Sequence, residues 1–309
     1  MRVVIAGGSG FLGAPLAETY AEEGHDVRVL SRGLPAGESR HESGTGVPGI
    51  SRVGWQPDGQ AGPWADCISG ADAVINLAGA SVGGKRWTPP RKAELRDSRL
   101  LATRSLVAAI KQAPIAPQLF ISSSAVGYYG AGDDPKTESA PAGTDFLAHL
   151  CEDWEAEARQ GAREGTRLAI IRTGLVIEKS GGALARMITP FRFFAGGPMG
   201  SGRQYMSWVH RLDWTEMVRW IVQTREAEGT FNVTAPHPVT NREFARALGR
   251  SLKRPALVPA PGFALKMVLG EFASSVLAGQ RVLPAHAQAL GYHFRYPEID
   301  IAFRGIFGD

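Results

Sequence analysis

Cysteine is nearly absent from this 309-residue chain, which has only Cys67 and Cys151. Two thiols so far apart make neither a disulfide framework nor a cysteine metal cluster, so no metal is expected and a reducing cytoplasm suits the chain. Long apolar runs are also missing. None approaches the roughly 20 residues that cross a bilayer, so no membrane role is expected. The opening MRVVIAGGSG passes from one Arg through a short apolar run into glycines, without the long apolar region or cleavage site of an export signal. Basic runs are lacking too. The formal charge is +4, but 34 Lys and Arg are scattered among 30 Asp and Glu, which argues against a nucleic-acid partner and leaves local arginines for anionic small ligands.

What is present is ordinary globular material, 44% hydrophobic and 21% charged, in a chain long enough for a sizeable core. Short apolar runs alternate with helical patterns in the first half. The pattern predicts strands over 2–6, 26–31, 52–55, 73–78, 118–123 and 168–173, and helices over 11–23, 89–112 and 144–164. Several strands are continuous apolar runs, as expected when helices cover both faces of a parallel sheet. Residues 33–51, rich in Gly, Pro, Ser and Glu, read as an exposed loop. Farther on, MSWVH (206–210) reads as a strand, 213–225 as a helix, FNVTA (231–235) as a returning strand and 241–252 as a helix. The fold class is therefore α/β: a Rossmann-type doubly wound parallel sheet with a smaller, mainly helical C-terminal lobe. The expected division is a Rossmann domain over 1–175, completed by about 206–235, with 176–205 and 236–309 forming the smaller substrate-side lobe.

The loop GGSGFLG sets Gly7, Gly10 and Gly13 between the first apolar strand and an amphipathic helix. That context suits a dinucleotide pyrophosphate: Gly7, Gly8, Ser9, Gly10, Phe11, Leu12 and Gly13 would bring backbone close to the phosphates, at a helix N-terminus with free N–H groups. An acidic residue at the end of the second strand would bond the ribose 2′-hydroxyl of NAD. Here Ser31 and Arg32 occupy that place, so the expected cofactor is NADP(H), with the guanidinium on the 2′-phosphate. The bland alternative is an exposed surface arginine.

With GGSGFLG, NLAGA (76–80) and SSSAVGYYG (122–130) in register, the chain resembles the extended short-chain dehydrogenase/reductase superfamily. More narrowly it resembles an atypical epimerase/dehydratase-like subgroup, through KRWTPPRKAELRDSRL, DFLAHLCEDWE, GSGRQYMSWVHRLD and AGQRVLP along the whole chain. The resemblance implies that Leu77, Ala78, Gly79 and Ala80, with Ser122, pass the cofactor, and that Ser124 orients substrate. Ser124 could equally cap the strand-to-loop turn.

The superfamily's usual proton donor is a Tyr-x-x-x-Lys pair in which the Lys lowers the Tyr pKa. Residues 144–164 contain neither Tyr nor Lys. Leu147 and Cys151 take the two places, on a stripe with Leu150, Trp154 and Ala158 that reads as apolar, while His149 reads as solvent-facing. Replacement donors are then sought at Tyr128 and Tyr129, whose alternative role is aromatic packing, at Glu138, and in the cluster Arg203, Gln204, His210 and Arg211, whose arginines suit an anionic substrate. Lys85, Arg86 and Trp87 read either as a lid or as a solvated loop. Two functions stay open: an NADP(H)-dependent oxidoreductase or epimerase-like enzyme on an unknown small molecule, for which the arginines suit an anion, or a non-catalytic NADP(H)-binding sensor or interaction protein. A homodimer is left open.

Overall fold

The computed structural model describes residues 1–41 and 49–308. Strand β1 (Arg2–Ala6) leads to helix α1 (Gly13–Glu22), β2 (Asp26–Ser31), β3 (Ser39–His41), β4 (Ile50–Gly54) and β5 (Ala73–Asn76). The long α2 (Pro89–Gln112) is followed by β6 (Leu119–Ala125), β7 (Gly132–Lys136), α3 (Phe146–Arg159), β8 (Arg167–Thr173), β9 (Leu175–Ile177) and α4 (Gly182–Arg192). Next come β10 (Tyr205–Met206), β11 (Trp208–His210), α5 (Arg211–Gln223), β12 (Gly229–Val233), β13 (Val239–Thr240) and α6 (Asn241–Ser251). The tail adds α7 (Gly262–Leu269), α8 (Phe272–Ala278), β14 (Gln280–Val282), α9 (Ala285–Ala289) and α10 (Ile299–Phe307).

Eight strands form the main sheet in the order β12-β8-β6-β5-β1-β2-β4-β3, parallel except where β3 runs against β4. Strand β1 is apolar on both faces because both are covered. Val3 and Ile5 pack with Leu16 and Tyr20 of α1 and Trp214 and Val218 of α5, while Val4 and Ala6 pack with Leu106 and Ile110 of α2. Full burial of each large aliphatic side chain contributes roughly 1.5–3 kcal/mol. A third core joins Leu184 and Ile188 of α4, Trp208, Phe244 and Leu248 of α6, and Phe303 and Ile306 of α10. From β1 the chain builds outward through β2, then returns to β5 on the other side. The crevice between the C-terminal ends of β1 and β5 is thus the switch point at which open α/β sheets take ligands. No described helix is long and apolar enough to cross a membrane.

Several expected boundaries move for local reasons. The strand over 73–78 stops at Asn76, whose side-chain carbonyl accepts the Ala78 N–H at 3.2 Å and turns the chain. The helix over 11–23 starts at Gly13, because Gly10 N–H first closes a turn onto the Gly7 carbonyl at 3.0 Å. The helix over 144–164 is bounded by Asp145, whose carboxylate caps Ala148 N–H at 2.9 Å, and ends at Arg159. Residues 33–51 are not all loop: β3 and the first residues of β4 lie within them, and 42–48 lie outside the described residues. The single strand expected over 206–210 is two, β10 pairing with β13 and β11 with β9, broken at Ser207, whose hydroxyl donates to Gln280 carbonyl and accepts from Val282 N–H, both at 2.8 Å.

Asp213 in α5 ties down the tail. Its carboxylate, 1% exposed, accepts the N–H groups of Arg295 and Tyr296 at 2.9 Å each. Asp213→Ala leaves both donors unpaired in a buried place and should cost roughly 2–5 kcal/mol. Urea unfolding of the two proteins measures it, and a difference near zero would show that the tail is held by its apolar contacts alone.

Candidate functional site

The loop between β1 and α1 is tight where the sequence predicts backbone approach. Gly7 has a φ of +79°, and a Cβ there would sit 2.7 Å from the Leu77 carbonyl, so the loop lies directly against the NLAGA strand end. A Cβ on Gly8 would meet the Val29 side chain at 2.8 Å, and one on Gly13 would meet the Gly7 carbonyl oxygen at 2.3 Å. Gly10 differs. Its φ is not left-handed, and a Cβ would meet only Gly7 oxygen, at 3.2 Å. The left-handed requirement thus falls on Gly7 and not on Gly10, which is exposed. Among the described residues the N–H groups of Phe11, Leu12 and Gly13 find no acceptor, so three donors stand at the positive end of α1, directly after Gly10 in the chain. The Phe11 ring reaches across to the start of α4, within 2.7 Å of where a Gly181 Cβ would stand.

At the end of β2, Ser31 is half-buried and its hydroxyl accepts Gly33 N–H at 3.4 Å. Arg32 is exposed and pairs with no carboxylate among the described residues. On the other side of the crevice, Ala78 and Ala80 are partly buried and Gly79 is exposed, with Ala80 N–H held by Ser98 Oγ at 3.0 Å. Ser122 is buried, with its hydroxyl unpartnered.

Beyond this crevice lies a buried polar network that the apolar reading of α3 missed. Ser124 donates to Glu155 Oε1 at 2.7 Å, and Glu155 is fully buried on the stripe read as apolar. Arg172, next to last in β8, grips the same carboxylate in bidentate fashion at 2.7 and 2.9 Å, and Arg159 adds a contact at 2.9 Å. Arg172 also donates to Tyr129 Oη at 2.8 Å and lies 3.4 Å from the centroid of the Tyr128 ring. Tyr129 in turn donates to Asn232 Oδ1 at 2.7 Å. Burial, partly opposed by Arg172, pushes the Tyr129 phenol up to about 12. Glu138 is engaged by the N–H groups of Asn232 and His286, at 3.0 and 3.2 Å. A lone Arg within the apolar run of β8, and a Glu four residues after Cys151, were the available signals in the sequence.

Next to the network is a cleft of about 280 Å³, lined by the Ala125–Gly130 turn, α3, the β8–β9 junction, α8 and Arg99. Leu147 and Cys151 both reach it. Burial raises the Cys151 thiol to about 11, and it contacts the Ala125 carbonyl at 3.7 Å. His149 is exposed beside Glu152. Trp87 is packed rather than solvated, edge-on to Phe146 at 5.2 Å and against Phe272 at 5.3 Å, whereas Lys85 and Arg86 are exposed.

The second-lobe candidates do not line this cleft. His210 caps α5 by accepting Leu212 N–H at 3.1 Å and stacks on Tyr296 at 4.0 Å. Arg211 pairs with Glu178 at 2.9 Å, Gln204 donates to Met199 carbonyl at 3.0 Å, and Arg203 is exposed. Desolvation, partly offset by Glu178, holds His210 down near 4, well below its ordinary 6.5. The folded state then resists protonating it while the unfolded chain does not. His210 thus contributes stability that is present above pH 6.5 and is lost as pH falls through 4. His210→Asn, which keeps an acceptor for the cap, should flatten that part of the stability profile, as measured by urea midpoints from pH 7 to 4; an unchanged slope would place the acid sensitivity elsewhere.

Comparison with known proteins agrees with this fold. Residues 3–234 match the NAD dependent epimerase/dehydratase family, and residues 260–306 match a domain of unknown function, DUF1731. The chain is similar to a chloroplastic epimerase family protein of Arabidopsis thaliana, 39% identical, with 99% of this chain and 86% of that protein covered. It is 36% identical to an epimerase family protein of Bacillus subtilis over 100% of this chain and 99% of the other. A crystal structure of the human epimerase family protein SDR39U1 with NADPH superposes with a TM-score of 0.89 at 33% identity, covering 100% of both chains. A Bacillus cereus UDP-glucuronic acid 4-epimerase, at 14% identity and TM-score 0.76, shares the fold.

Proposed function

The chain belongs to the NAD dependent epimerase/dehydratase family, and from that we propose that it is an NADP(H)-binding oxidoreductase or epimerase-like enzyme acting on a small molecule in the cleft above α3. The observation that carries this reading is the set of three N–H donors and the Arg32 guanidinium, all without a partner among the described residues, at the ends of β1 and β2, in the fold that the human relative presents with NADPH. A dinucleotide fits these residues. Its pyrophosphate would take the loop Gly7–Gly13, its 2′-phosphate Ser31 and Arg32, and its nicotinamide half the strip Leu77–Ala80 beside Ser122. When bound, the nicotinamide supplies hydride transfer.

The chain's own residues set limits on proton movement. Ser124 already gives its hydroxyl proton to Glu155, so its oxygen offers lone pairs rather than a donor. Tyr129 is fixed by Arg172 and Asn232 and resists ionisation. Leu147 and a neutral Cys151 stand where the Tyr and Lys would be. This supports the second reading, a non-catalytic NADP(H) binder, and a substrate screen followed by NADPH oxidation separates the two. Turnover that is lost in Ser124→Ala supports the enzyme.

Cofactor preference is tested directly by titrating NADPH and NADH into the protein. Arg32→Asp should weaken NADPH binding at least about tenfold, or about 1.4 kcal/mol, with NADH binding unchanged or improved. Equal affinity of the unmodified protein for both cofactors would refute the assignment of Arg32. Gly10→Val should abolish binding of both, through collision with the pyrophosphate rather than backbone strain; a folded variant that binds normally would place the phosphates elsewhere.

A further inference from the structure

Helix α2 brings Arg99 to the cleft, where it is the only cation of the lining among the described residues. Its guanidinium donates to the Leu95 carbonyl at 2.9 Å and the Ala80 carbonyl at 3.0 Å, and lies over the Trp154 ring at 5.1 Å. None of these partners carries a charge. The ionisable neighbours that act on it are the thiol of Cys151 and the like charge of Arg91, and among the described residues no carboxylate pairs with it. Burial pulls its pKa down to about 10, still far above neutrality. A partly desolvated charge without a counter-ion is a standing cost, which an anion entering the cleft would remove.

The rest of the lining says what kind of anion. Val82, Leu147, Leu150, Leu175, Phe272 and Val276 form apolar walls. The one acid of the lining, Asp145, is exposed, and its Oδ1 is taken by Ala148 N–H. A nucleoside diphosphate sugar would bring several phosphate oxygens to one guanidinium, and its many hydroxyls to a lining whose uncharged polar side chains are few: Ser275, Gln280 and Thr173, the last already accepting from Trp214. A compact molecule with one carboxylate matches both the charge and the walls.

Resting on the reading of this cleft as the substrate site, we infer that the substrate is a small carboxylate with an apolar body, its carboxylate held by Arg99 and its body lying against Leu147, Leu150, Phe272 and Val276. The guanidinium has N–H donors left over after the two carbonyls are served, in a planar array that suits a carboxylate. Arg99 is therefore assigned to substrate specificity, a role that neither Ser124 nor the tyrosines can fill.

Calorimetric titration of the NADPH-loaded protein with hexanoate, 4-methylpentanoate and phenylacetate, each against its primary amide, tests this. At least one carboxylate should bind about tenfold or more tightly than its amide, and Arg99→Met should reduce that preference below about threefold, with Arg99→Lys retaining part of it. Because Arg99 also holds two carbonyls, Val276→Trp provides a second route: it fills the cleft from α8 with Arg99 in place, and should remove carboxylate binding. Absence of carboxylate binding, equal affinity for acid and amide, or a preference that survives Arg99→Met overturns the proposal. So does loss of NADPH affinity in Arg99→Met that Arg99→Lys restores, which would assign the guanidinium to the cofactor. Failure of the unmodified protein to bind NADPH refutes the cofactor reading alone, because the acid and amide comparison is then made without cofactor.

Discussion

The buried ion pair between Glu155 and Arg172 is the constraint around which the site is arranged. It joins α3 to β8, takes in Ser124 at the end of β6, and extends through Tyr129 and Asn232 to β12. Two charges taken out of water gain little over an apolar pair of equal volume, whereas removing one partner leaves the other stranded at a cost of about 3–5 kcal/mol. The pair is thus a weak source of stability and a strong determinant of geometry. With both carboxylate oxygens and the Tyr129 hydroxyl engaged, the turn after β6 has one arrangement in which every polar group is paired. That turn forms one wall of the cleft.

The same pair explains the unusual electrostatics of the cleft. In the superfamily pattern, a cation on the helix after this turn lowers the pKa of a nearby phenol. Here α3 instead contributes a carboxylate, already neutralised by arginine, and presents Leu147 and a thiol to the cleft. The phenol nearest the network moves away from neutrality, not toward it. The cation that does reach the cleft, Arg99, comes from α2 and has no phenol to act on. Charge is thus available for binding an anion and absent from the place where it would activate an acid. That division is consistent with chemistry limited by proton supply, or with binding alone.

The crevice proposed for the cofactor could be picked out in the sequence because its signals are local. Gly7 needs a left-handed φ, Gly13 must let two loop segments touch, and Arg32 follows β2 in sequence, so each can be read within a few residues of its neighbours. The order of strands and the cover of both sheet faces could be read from apolar runs such as VVIA for the same reason. Gly10 shows the limit: spacing groups it with Gly7 and Gly13, yet its backbone is not left-handed and its side toward solvent is open.

The cleft and its polar network depend on pairings between residues distant in sequence, and there periodicity misleads. Glu155 lies on the buried stripe of α3, where the rule is apolar, and is tolerable only because Arg172 arrives from another strand. His210 looked like an acid beside two arginines; in the fold one arginine is consumed by Glu178 and the imidazole caps a helix. Arg99 drew no notice because, in sequence, it belongs to a charged helix in which most arginines meet solvent or carboxylates. Its distinction is the carboxylate it lacks, and only the folded neighbourhood reveals that. Identifying chemistry in such a site therefore requires asking which charges the fold leaves unpaired, since the paired ones, however prominent in the sequence, are already occupied in holding the walls.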